Sequence, residues 1–183
     1  IFTHVENPIQ FIKNIKRVLS KNGVFILEIE YVANFFKNIE FERFYFDRPN
    51  YYSITSINEI CKRENLYISN IEKIPTHGGS IRIYIKKTKS ISKKLINILN
   101  YENKFFKKNN LKIYFKEFKS EINNLLQNLK LYKKNKVEVI GYGSPARLST
   151  ITNFANIKKN LISYIVEDNK LKHNRFVPGV KIA

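Results

Sequence analysis

Gly141-Tyr142-Gly143-Ser144-Pro145-Ala146-Arg147 has the residue types that let a backbone approach a phosphate closely. Two glycines permit a tight turn. The helical pattern from Leu148 to Ala155 would place its N-terminus, with unpaired N–H groups, at the loop. An apolar run, Val137 to Ile140, precedes the loop, and a second, Leu161 to Val166, ends in Glu167-Asp168. The acidic pair falls about 20 residues after the loop, as a G-x-G-x-x-A dinucleotide fingerprint requires. Tyr142, Ser144 and Arg147 are therefore candidates for holding a diphosphate, and the competing reading is a tight turn that needs glycine. Elsewhere the groups suited to chemistry are His4, Tyr45, Asp47, Arg48, His77 and Arg82. An imidazole is the side chain best matched to proton transfer near neutral pH, and arginine is matched to anionic oxygens. Arg48 could bind phosphate or pair with Asp47.

The elements that position these groups follow from spacing. Asn7-Pro8 opens a helix, with Asn7 as cap and proline where a missing N–H costs nothing. Ile9, Ile12, Ile15 and Leu19 mark its buried face, and Asn22-Gly23 ends it. Val24 to Glu30 reads as a strand, and its continuous apolar start predicts burial on both faces. Tyr31 to Tyr52 is irregular and aromatic. Ser53 caps a second helix with Ile57, Ile60 and Cys61 inward. Tyr67 to Ile74 is a strand, Pro75 to Gly79 a turn in which Gly78 and Gly79 permit positive φ, and Ser80 to Lys87 a strand with Ile81, Ile83 and Ile85 on one face and Arg82, Tyr84 and Lys86 on a wet one. Helices are expected over Ile91 to Lys108 and Leu111 to Lys134, broken near Asn109-Asn110. The stripe Leu111, Phe115, Phe118, Ile122, Leu125 and Leu129 reads as a core face.

Hydrophobic residues make up 43% of the 183, enough for a packed core. One cysteine, Cys61, rules out an internal disulfide and a cysteine metal cluster, and sets a reducing, cytoplasmic compartment as the expectation. No apolar run approaches the length of a membrane span. The net charge of +18 invites a nucleic-acid reading. However, Lys, Asn and Ile are enriched together, as AT-rich codons would produce, and the lysines spread from Lys13 to Lys181 rather than lining one stripe. A basic surface of this kind favours an anionic substrate such as a nucleotide phosphate. The lack of methionine, the opening Ile1-Phe2-Thr3 and the strand-like ending Val180 to Ala183 read as a fragment of a longer protein.

Four separated segments, in order, resemble the sugar C-methyltransferases. They are Ile1 to Asn7, the hairpin Thr76-His77-Gly78-Gly79-Ser80-Ile81-Arg82, the loop Gly141 to Arg147, and Asp168-Asn169 followed by Lys172 and Pro178-Gly179. The resemblance covers nearly the whole chain. It implies an α/β fold: residues 1–89 as the C-terminal half of a class I, Rossmann-like methyltransferase sheet, and residues 90–183 as a helical connector followed by a second Rossmann-like βαβ domain. It also implies S-adenosylmethionine as cofactor and methylation at a carbon of a nucleotide-linked keto-deoxysugar through an enolate. The cofactor loop and any zinc site would precede Ile1. By the same resemblance, His4, Tyr45 and Asp47 are the expected catalytic groups. Arg48, His77, Arg82, Tyr142, Ser144 and Arg147 are the expected substrate contacts.

One position departs from that family pattern. The general base is expected to be a histidine at position 48, and here it is Arg48, whose guanidinium stays protonated and cannot accept a proton. His4, Tyr45 or Asp47 must then take the proton, or the substrate differs. An NAD-dependent oxidoreductase module and a non-catalytic member of the same fold are the alternatives. No membrane partner is expected. The sugar, the methylated carbon and the oligomeric state are not legible.

Overall fold

The computed structural model describes residues 1–90 and 92–183, with His77 described by its backbone alone. The start expected for a helix at Ile91 lies outside the described residues. The chain divides into two compact units, 1–38 with 47–112, and 39–46 with 113–183.

The first unit opens with α1 (Pro8–Val18), whose Asn7 side chain accepts from Gln10 N at 3.0 Å. A strand follows, β1 (Phe25–Glu30), and then α2 (Val32–Lys37), which sequence pattern did not reveal because Val32, Ala33, Phe35 and Phe36 bury nearly its whole circumference. Helix α3 (Ile54–Arg63) starts at Ser53 in a reciprocal cap with Ser56. Strands β2 (Tyr67–Ile74) and β3 (Ser80–Lys86) flank a short turn in which Gly79 adopts φ +116°; a Cβ there would collide with the Asn34 amide, which donates to Gly79 O at 3.1 Å. Helix α4 (Lys93–Phe105) is capped by Ser92.

The three strands are ordered β1-β3-β2, each neighbouring pair antiparallel, so β1 and β2 run the same way with β3 between them. Ile81, Ile83 and Ile85 are fully buried on one face of β3, as alternation predicts, and Leu27 and Ile29 join them. A bulge between Ile68 and Asn70 adds one residue to β2, which turns both Ile68 and Ile71 inward although they are three apart. Helices α3 and α4 pack against β2, and α1 packs against α3. Burial of β1 on both faces does not occur: on the side away from the core Ile26 is 53% exposed and Glu28 is exposed.

Helix α5 (Lys108–Lys134) begins two residues after the α4 cap, earlier than the expected break at Asn109-Asn110. Of the α5 apolar stripe, Phe118, Ile122 and Leu129 are buried, while Phe115 and Leu125 stay substantially exposed. In the second unit β4 (Gly141–Tyr142) and β5 (Ile165–Val166) pair in parallel on either side of α6 (Ala146–Phe154). The run Val137 to Ile140, expected as a strand, forms none: β4 falls in the glycine loop itself, and β5 takes only two residues of the run Leu161 to Val166. Their core is Ile122, Leu129, Ala155, Ile157, Val177 and Ile182. Six α-helices and five strands, arranged as a mixed α/β fold, are formed among the described residues.

Candidate functional site

Two polar constellations stand out, one in each unit. In the first unit, β1 alternates Leu27 and Ile29 into the core and Glu28 and Glu30 onto the other face. Glu28 lies directly across from Arg82 in the β1–β3 register. Its Oε2 accepts from Arg82 Nε and Nη2 at 3.1 and 2.8 Å, while Oε1 accepts from Thr76 in the turn at 3.1 Å. Glu30 takes Arg48 in a two-pronged contact: Nη1 donates to Oε2 and Nη2 to Oε1, both at 2.6 Å, with the side chains only 13% and 15% exposed. That geometry is the strongest form of carboxylate–guanidinium pairing. The partner of Arg48 is thus Glu30, across 18 residues, rather than the adjacent Asp47.

Asp47 instead faces His4. Its backbone carbonyl oxygen lies 2.7 Å from His4 Nδ1, and its carboxylate Oδ2 lies 3.6 Å away. A carbonyl can only accept, so Nδ1 carries the hydrogen in this contact and Nε2 of the neutral ring is left as the acceptor. A second tie holds the same two segments together, as Asn50 Nδ2 donates to Val5 O at 2.8 Å. His4, Glu28, Glu30, Arg48 and Ser80 line a cavity of about 230 Å³ with residues 1–3. A larger hollow of about 600 Å³ between β2 and α4 offers less chemistry. Its Tyr31 hydroxyl is engaged by Glu102, and its Glu72 by Tyr84 and Asn70.

Of the expected catalytic groups, the structure brings His4 and Asp47 together, with Arg48 and Arg82 in the same unit. Tyr45 is half-buried in the 39–46 segment of the other unit. The expected contact from the His77 side chain lies outside the described residues. Glu30 escaped the sequence reading; the signal available was its i, i+2 spacing from Glu28 on a strand.

In the second unit the glycine loop has its own internal anion. Glu167 Oε2 accepts from Ser144 N at 2.7 Å and Oε1 from Asn169 N at 3.0 Å, and Lys172 Nζ approaches at 3.4 Å while donating to Ser144 O at 2.7 Å. The backbone donors of Asn169 and Ser144, with Lys172 adding to them, hold the Glu167 carboxyl below its ordinary range. Tyr142 donates to Asp168 at 2.8 Å, a bond that raises the phenol above its usual value. Arg147 lies 3.7 Å from Glu42, an exposed and weak pairing. Gly143, at φ +82°, makes the turn. A dinucleotide phosphate entering this loop would have to displace the Glu167 carboxylate from Ser144. Beside the loop, Ser144, Ala146, Ser149, Lys172, Arg175 and Phe176 help line a cavity of about 450 Å³.

These arrangements define, in one unit, a polar face with an oriented imidazole and, in the other, a glycine turn closed by its own acid. Residues 75–183, more than half of the chain, match the family of C-methyltransferase C-terminal domains, and the chain belongs to that C-methyltransferase family. It is also 20% identical over 191 residues to the C-methyltransferase NovU of Streptomyces niveus, an alignment that covers 99% of this chain and 44% of that protein. The chain therefore spans less than half the length of that relative.

The family implies S-adenosylmethionine as methyl donor. The residues described do not by themselves fit it. The Ser144 N–H of the loop at 141–144 is occupied by Glu167, and the β1 face is filled by the Glu28–Arg82 and Glu30–Arg48 pairs. Among the described residues no group of three or more His, Cys, Asp or Glu is arranged to hold a metal, and no helix is long and apolar enough to cross a membrane. Burial pushes the Cys61 thiol up to about 12, which leaves it unreactive at neutral pH.

Proposed function

We propose that this chain serves methyl transfer from S-adenosylmethionine to a carbon of a nucleotide-linked keto-deoxysugar, and that His4 removes the proton next to the ketone. The observation that carries the reading is the 2.7 Å contact of His4 Nδ1 with the Asp47 carbonyl, which leaves Nε2 as a base at the cavity that His4 lines. Arg48, tied to Glu30, cannot be that base. The chain's own contribution is to hold the imidazole in one tautomer and to line its cavity with polar groups. Asp47 orients the ring. Tyr45 and Arg82 are proposed as substrate contacts, with Tyr142, Ser144 and Arg147 on the nucleotide diphosphate.

The strand order β1-β3-β2 with an antiparallel middle strand supports reading residues 1–89 as the closing half of a class I methyltransferase sheet. The parallel β4–α6–β5 unit supports a second Rossmann-like domain within residues 90–183. The test is solvent-deuterium exchange into keto-deoxysugar nucleotides by the full-length protein. Exchange in the native protein and a loss of about a hundredfold or more in His4→Gln are expected. No exchange with any keto sugar in the panel would sink the enolate mechanism.

A further inference from the structure

We propose that Glu30 is a positioning residue for the His4 imidazole, acting through Arg48 and the Asp47 carbonyl. This rests on the reading of His4 as the base.

Glu30 is the last residue of β1, a strand hydrogen-bonded along its length to β3, so its carboxylate is delivered from a rigid element. Both carboxylate oxygens hold Arg48, and two bonds at 2.6 Å leave the guanidinium little freedom to rotate. Arg48 is covalently next to Asp47, and residues 44–48 form no helix or strand of their own. The Arg48 side chain thus gives the Asp47 carbonyl an anchor one residue away. That carbonyl is the atom 2.7 Å from His4 Nδ1 and decides which ring nitrogen bears the hydrogen. The Asp47 carboxylate is a weaker orienter, because it is 3.6 Å away with its side chain 59% exposed. Pro49 stiffens the stretch that follows, and Asn50 secures it to Val5 O, so the strap is anchored twice just after the carbonyl. Glu30 neutralises the Arg48 charge as well. A neutral pair makes a poor anion site, which favours an anchoring role for Arg48 over phosphate binding.

The test reads the ring itself. In full-length protein labelled with ¹⁵N-histidine, with the His4 signal identified by its loss in His4→Gln, His4 is expected as the single Nδ1–H tautomer. Glu30→Gln is expected to give a mixture with the Nε2–H form and a fall of tenfold or more in solvent-deuterium exchange. Glu28→Gln, which breaks the neighbouring pair with Arg82, is expected to leave the His4 tautomer unchanged. Should Glu30→Gln fail to fold, Arg48→Lys decides, because it keeps the charge and loses the two-pronged geometry; the same mixture is expected. An unchanged Nδ1–H signal in folded Glu30→Gln or Arg48→Lys overturns the proposal, as does an Nε2–H ring in the native protein. A tautomer shift as expected, with no deuterium exchange even in the native protein, leaves the positioning role standing and removes the enolate chemistry instead.

Discussion

The carboxylate of Glu102, on α4, accepts the Tyr31 hydroxyl at 2.8 Å at the end of β1, and both groups are buried. The same carboxylate accepts Ile54 N and Thr55 N at 2.7 Å each and the Thr55 hydroxyl at 2.5 Å. It thus caps α3 from a distance of about fifty residues, using helix N–H groups in place of a cation. Burial, and then Glu102, push the Tyr31 phenol above its ordinary range. Glu102→Ala takes the acceptor from two helix N–H groups and two hydroxyls, of which the Ile54 N–H and the Tyr31 hydroxyl are buried. A loss of about 2–4 kcal/mol in urea denaturation of the full-length protein is expected. A change below about 0.5 kcal/mol would show that the cap contributes nothing.

Tyr52 is 4% exposed, and its hydroxyl has no hydrogen-bond partner among the described residues; its ring packs on Phe2 at 4.7 Å. Burial raises its phenol from 10.0 to about 12. A raised folded-state value contributes stability that is fully present below pH 10 and is lost as pH rises toward 12. Tyr52→Phe removes an unsatisfied hydroxyl. It is expected to be neutral or stabilising by about 1 kcal/mol at pH 7 and to weaken the alkaline loss. Denaturation midpoints across pH 8 to 12 check both parts, and an alkaline limb identical to the native one rejects the assignment.

Glu167 has the opposite sign. Its folded-state value lies below its ordinary one, mainly through the Asn169 and Ser144 N–H bonds, so its contribution is present above the ordinary carboxylate range and is lost as pH falls through the lowered value. Glu167→Gln is expected to lower stability at neutral pH and to flatten the acid limb below pH 4.5. Ser144 N–H exchange should speed up in the variant; unchanged protection there contradicts the capping role.

Arg147 is the least committed of the three loop candidates, as its Glu42 contact is 3.7 Å and exposed. If the loop side of this unit meets the nucleotide diphosphate, Arg147→Ala is expected to raise KM about tenfold with kcat nearly unchanged, the pattern of a group that binds ground and transition states equally. Tyr142→Phe should have a much smaller effect, because its hydroxyl already serves Asp168. A fall in kcat alone would move Arg147 out of a binding role.

Local signals read well. Asn7-Pro8 and Ser53 start their helices because capping is decided within four residues. The Ser80–Lys86 alternation places three isoleucines inward because strand period is a local property. Helix α2 and the β2 bulge were not legible, since complete burial erases amphipathic periodicity and a bulge shifts register without a sequence mark. In the candidate site, the meeting of His4 with Asp47 was readable only as two residues of suitable chemistry, and the Arg48 partner not at all.

From the sequence alone come the α/β character, the strand that carries Arg82, the helix that follows the glycine loop, and the motifs that lead to the C-methyltransferase family. Each rests on spacing within a few turns of chain or on residue identity, which no distant contact can alter. The tertiary structure decided which charge meets which. Arg48 goes to Glu30 and leaves Asp47 to His4, Glu167 folds back onto Ser144, and Glu102 caps α3. A side chain's partner depends on strand register and on the path of loops many residues away. The chemical choice between a base, an anion site and an internal ion pair is therefore made only when those elements are packed.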